Sequence, residues 1–146
     1  MATSLPRVAR IRAERPVSEP KAVVFDEDGL AKCVREWQDR LGLGDWQFAV
    51  RIGRARNMTP DSSASLVYTW EKKTGLLEVR SPLDCPDECG TGAEVFVQDM
   101  EADVVHELLH AKLHTWQTAK DSFEEALQEQ VIDDLARVLV CLKRQR

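Results

Sequence analysis

The chain has 146 residues, 43% hydrophobic and 31% charged, with a net charge of −5 at pH 7. That length and balance fit a single globular domain with a real core. An acidic chain disfavours a nucleic-acid coat or a membrane-surface protein. No apolar run resembles a secretion signal or reaches the length of a membrane span, so the expected location is the cytoplasm.

Residues 1–24 are rich in Arg, Pro, Ser and Glu and lack hydrophobic periodicity, which predicts a flexible arm. "RVARIRAERP" is the only basic stretch, and any contact with nucleic acid would have to run through it. Residues 25–146 form the expected domain. "EDGLAKCVREWQDRL" (27–41) places Leu30, Cys33, Val34, Trp37 and Leu41 at helical spacing, and "GLGD" stops that helix. "WQFAVRIGRA" alternates Trp46, Phe48, Val50 and Ile52 with polar residues, as a half-buried strand does. "ASLVYTWEKKTGLLEVRSP" predicts a hairpin turning at "EKKTG". Four cysteines without an export signal predict free thiols. "CPDEC", with Cys85 and Cys89, is only half of a zinc knuckle. A helix is expected from about Glu94 to about Trp116. A second opens near Asp121-Ser122, with Glu124 and Glu125 in its first turn and a basic C-terminus. The order predicts an α+β domain: an N-terminal helix, a small three-stranded, mainly antiparallel sheet, and two C-terminal helices.

All three histidines fall in "DVVHELLHAKLH" (103–114). A helix advances ~100° and ~1.5 Å per residue. His106 and His110 therefore share a face one turn apart, and both rings can reach one ion ~2 Å away. Glu107, beside them, can approach a water on that ion without binding it. This is the physical content of H-E-x-x-H: two ligands and a general base on one rigid element. His114 lies ~12 Å along the helix from His106, too far to join both rings on the same ion. It is left to support the site from behind, to line the substrate cleft, or to end the helix. A metzincin would need Gly and His where Leu113 and Trp116 stand, so that class is excluded.

A catalytic zinc needs a third protein ligand and an open position. With no histidine remaining, a carboxylate of the last helix must serve. Ile132, Leu135 and Leu139 mark the expected buried stripe of that helix. Glu129 and Asp133 stand at its edge, and Glu125 one turn earlier. Glu129 is the first choice and Glu125 the second. Glu124 points away, as a partner of the helix dipole.

These residues make the chain resemble an H-E-x-x-H zinc metallopeptidase of the gluzincin type. More narrowly, it resembles the compact ImmA/IrrE-like and phage-encoded metallopeptidases, whose active helix reads H-E-x-x-H-x-x-L-H. Here that is His106, Glu107, His110, Leu113 and His114. Their later helix carries Glu, a small polar residue four on, then Leu-Ala and Leu, matched by Glu129, Asp133, Leu135-Ala136 and Leu139. The match covers about residues 100–140. Leu109 stands where that family has Gly, and Asp133 where it has Asn. The resemblance implies a minimal zincin-like fold with Glu129 as third ligand.

The function expected is hydrolysis of a peptide bond by a zinc-bound water, with Glu107 as general base. Asp133 would hydrogen-bond a ligand histidine. Tyr68, the only tyrosine, and His114 are the candidates to stabilise the oxyanion. A protein or peptide substrate would add along a sheet edge, with "LLEVR" (76–80) as the expected edge strand. The alternative is a zinc-holding, catalytically silent module that binds peptides. A metal-free helical adaptor with an acidic face is a third reading.

Overall fold

The computed structural model describes residues 22–60, 62–84 and 98–146. The expected arm therefore lies almost entirely outside the described residues, as do Cys85 and Cys89. The domain is α+β, as the periodicities predict. It comprises α1 (Glu27–Leu41), β1 (Gln47–Gly53), β2 (Ala64–Thr69), β3 (Thr74–Arg80), α2 (Met100–Lys112) and α3 (Phe123–Arg144).

Each helix starts at a side-chain cap. Asp26 accepts the Gly29 N–H, Asp99 those of Glu101 and Ala102, and Ser122 that of Glu125. Such caps satisfy donors that the first turn leaves without partners. Helix α1 ends at Gly42, whose φ of 67° is left-handed, and Leu43 N–H bonds back to Gln38. A glycine takes that conformation without steric cost. Helix α2 is shorter than the apolar pattern suggests. It begins at the Asp99 cap and closes at Leu113, after which the chain tightens into a Leu113–Trp116 turn.

The sheet order is β1-β3-β2, with β1 parallel to β3 and β2 antiparallel to it. The hairpin forms as expected, but β3 inserts between its partner and β1, which makes the sheet mixed. The expected edge strand is thereby corrected. Residues 76–80 lie in the central strand, where Leu77 and Val79 are wholly buried. Among the described residues β1 and β2 are the two edges of the sheet, and α2 packs beside β2. The buried Glu78 folds over Gly53 and pairs with Arg51; a Cβ on Gly53 would lie 2.5 Å from the Glu78 side chain.

Leu30, Val34 and Trp37 of α1, Leu77 and Val79 of β3, and Val104, Val105 and Leu108 of α2 fill the core together with Ile132 of α3. The buried stripe of α3 is Gln128, Ile132, Ala136 and Val140. Leu135 is 42% exposed, not buried as its spacing suggests, because the helix turns Ala136 inward against α2. Cys33 is buried, which pushes its thiol up to about 12. Among the described residues no helix is long and apolar enough to cross a membrane.

Candidate metal centre

Helices α2 and α3 run antiparallel and are clamped at both ends. At one end the buried Glu101 carboxylate accepts from Trp37 Nε1 at 2.9 Å and from Arg144 Nε at 3.0 Å, and pairs with Lys143. Arg144 also forks onto Asp99, with both distances 2.9 Å. Burial alone would raise the Glu101 pKa; hydrogen bonds from Lys143, Trp37 and Arg144 outweigh it and hold the carboxyl below its usual range. At the other end Gln128 donates to the Trp116 carbonyl and accepts from Thr118. These clamps fix the register in which α2 meets α3.

Midway between them, His106 and His110 of α2 face Glu129 and Asp133 of α3. His106 Nε2 lies 3.2 Å from His110 Nε2 and 3.1 Å from Glu129 Oε2. His110 Nε2 lies 3.2 Å from Glu129 Oε1. Among the described residues, His106, His110 and Glu129 form the one group whose donor atoms gather closely enough for a metal ion. Asp133 Oδ1 is 3.0 Å from His106 Nδ1; in the tautomer that donates Nδ1–H to it, the Nε2 lone pair is turned toward Glu129. Burial holds the His110 imidazole below its usual pKa, against the pull of Glu129 in the opposite direction.

Glu107 is set apart from this triangle. Burial pushes its carboxyl up to about 7; His106 opposes the shift, and the charges of Glu129 and Asp103 add to it. The backbone of Leu66 on β2 faces this carboxyl across the cleft and weakly opposes the rise. A cleft of about 490 Å³ opens above, lined by Ser63, Leu66, Asp103, Glu107 and the His106–His110–Glu129 group.

The remaining expected residues separate. Tyr68 lines the cleft and donates to the His110 carbonyl at 3.4 Å, which ties α2 to β2. His114 does not reach the cleft. It stacks on Trp70, with ring centroids 5.5 Å apart, beside a second cavity. Glu125 is also elsewhere: its carboxylate accepts the Asp121 N–H at the start of α3. The structure adds Asp103, which the sequence reading passed over. Its Oδ1 accepts from Ser63 Oγ at 2.8 Å, while Oδ2 is buried with no partner among the described residues. The signal was available, since Asp103 precedes His106 by three residues and Glu107 by four, which places it on the same helical face.

No protein-family model matches the chain, and no curated protein or solved structure matches it either.

Proposed function

We propose that this protein is a zinc-dependent peptide hydrolase, with His106, His110 and Glu129 as metal ligands and Glu107 as general base. The observation that carries the reading is the donor triangle. The two Nε2 atoms lie 3.2 Å apart and each faces a different Glu129 oxygen, at 3.1 and 3.2 Å, which supports it because donors placed tetrahedrally ~2.0–2.1 Å from zinc stand ~3.3 Å apart. Two imidazole nitrogens and one carboxylate are also the donor types that a catalytic zinc takes, and the cleft leaves room for a fourth position.

Bound there, zinc would supply Lewis acidity, lowering the pKa of a water toward ~7 and polarising a substrate carbonyl. The chain's own groups do the rest. Asp133 fixes the ring of His106 and makes it the more basic donor. Glu107 takes the proton from the water and passes it to the leaving amine. A carboxyl held near 7 suits both transfers at neutral pH. The unpaired edge of β2, beside Glu107, can receive an extended peptide as an added strand, which sets its backbone along the cleft.

The test is zinc stoichiometry together with cleavage of a mixed peptide pool. The parent binds one zinc and cleaves; Glu107→Gln keeps the zinc and loses cleavage; His106→Ala loses both. Cleavage by Glu107→Gln at the parental rate would remove Glu107 from its role. Zinc bound without cleavage of any peptide would leave only a zinc-holding binding module.

A further inference from the structure

Helix α3 carries two apolar stripes. Ile132, Ala136 and Val140 are buried. Leu127, Val131, Leu135, Val138 and Leu142 form the other, and its four most open members are 42–55% exposed. Their spacing of four, four, three and four residues is that of a helix-pairing seam sustained over four turns. Single exposed leucines are ordinary on protein surfaces, but a continuous row on one helix is a patch that needs a cover.

We infer that this seam pairs antiparallel with the same seam of a second copy of the chain. The pattern is nearly palindromic. Leu127 and Leu142, and likewise Val131 and Val138, lie equally far from the point between residues 134 and 135. A two-fold axis there sets Leu against Leu and Val against Val, as a self-complementary interface requires. Charge is divided along the same helix. Exposed Glu124 and Asp134 stand on the N-terminal side of that point, and exposed Arg137, with Arg146 just past the helix end, on the C-terminal side. Antiparallel pairing brings the two halves together and sets Asp134 within a turn of Arg137 of the second copy; parallel pairing would align like charges. Arg137 is free to turn, being 73% exposed and touching Asp133 only at 3.4 Å. Glu129 and Asp133 project from the far side of the helix, so pairing leaves the cleft open. Four turns of paired helix fall near the ~1,000 Å² lower end of specific interfaces, so the dimer is weak and reversible.

Sedimentation equilibrium and light scattering on the full chain, across a concentration series, test this. The expected result is a monomer–dimer equilibrium. Leu135→Glu and Val138→Glu each shift it to monomer with an unchanged far-ultraviolet spectrum. Asp134→Arg and Arg137→Asp each weaken association several-fold, and the two together restore it. A parent that stays monomeric at the highest concentration overturns the inference, as does a dimer that both glutamate substitutions leave intact. Failure of the paired charge reversal to restore association overturns the antiparallel register.

Discussion

Replacing Asp133 by Ala tests whether the α2–α3 contact prepares the histidine pair for metal. The carboxylate meets His106 Nδ1 at 3.0 Å, and nothing else described holds that ring nitrogen. Without it the ring can rotate, and the proton can move to Nε2, which must be bare to bind a metal. Losing such a support typically costs ~10- to ~100-fold in metal affinity. The Asp133 side chain is 48% exposed, so solvent screens the interaction and the lower end applies. The expected loss is about tenfold, or ~1.4 kcal/mol. Asp133→Asn keeps a carbonyl acceptor without the charge and should lose less. Competition for zinc against a chromogenic chelator at neutral pH measures both variants. Parental affinity in Asp133→Ala would refute the reasoning, because His106 would then be oriented by something other than α3.

Three further outcomes are expected. Glu129→Ala should abolish stoichiometric zinc binding, whereas Glu125→Ala should retain it and lower stability by only ~0.5–2 kcal/mol, the usual cost of a lost helix cap; equilibrium dialysis and urea titration separate the two. Burial raises the Asp103 carboxyl to about 6 from 3.8, so the folded chain loses stability as pH rises through that interval and regains none above it; Asp103→Asn should gain on the order of 2 kcal/mol at pH 8 and almost nothing near pH 3, by denaturant titration. Glu101→Ala strands the Trp37 N–H and removes a shared partner of Lys143 and Arg144; those cations keep Glu36 and Asp99, which holds the cost to about 3 kcal/mol, read from the urea midpoint.

Helix boundaries were legible where a local signal decides them. Asp26, Ser122 and Gly42 act through their own side chains or backbone, within a few residues of the turn they make. The shared face of His106 and His110 was legible for the same reason, since helical geometry alone sets it. Strand order was not legible. A hairpin can place either of its strands against β1, and neighbouring residues do not record the choice. Both strands carry similar apolar content, so "LLEVR" reads equally well as edge or centre. Leu135 and Ala136 show the same limit on α3. Either could face inward by period, and packing against α2 favoured the small one. His114 continues the four-residue rhythm of the histidines, but the helix closes at Leu113 and carries it to Trp70 instead.

Helix α2 is the element shared by the two halves of the site, and each half rests on a different neighbour. Toward β2, contacts recur at nearly every turn: Ser63 with Asp103, Leu66 with Glu107, Tyr68 with the His110 carbonyl, and Trp70 with His114. Toward α3, the contacts are the Glu101 clamp, the His–Glu–Asp cluster and Gln128. On the proposed reading, the general base Glu107 would depend on the sheet, and the ligands His106, His110 and Glu129 on the helix pair. Loosening β2, for example by Tyr68→Phe, frees one anchor of α2 without touching a ligand atom, so it should change turnover more than zinc affinity. Loosening α3 through Glu101 should do the reverse. Division of the two proposed roles between separate neighbours would let one short helix present both ligands and base in a chain this small.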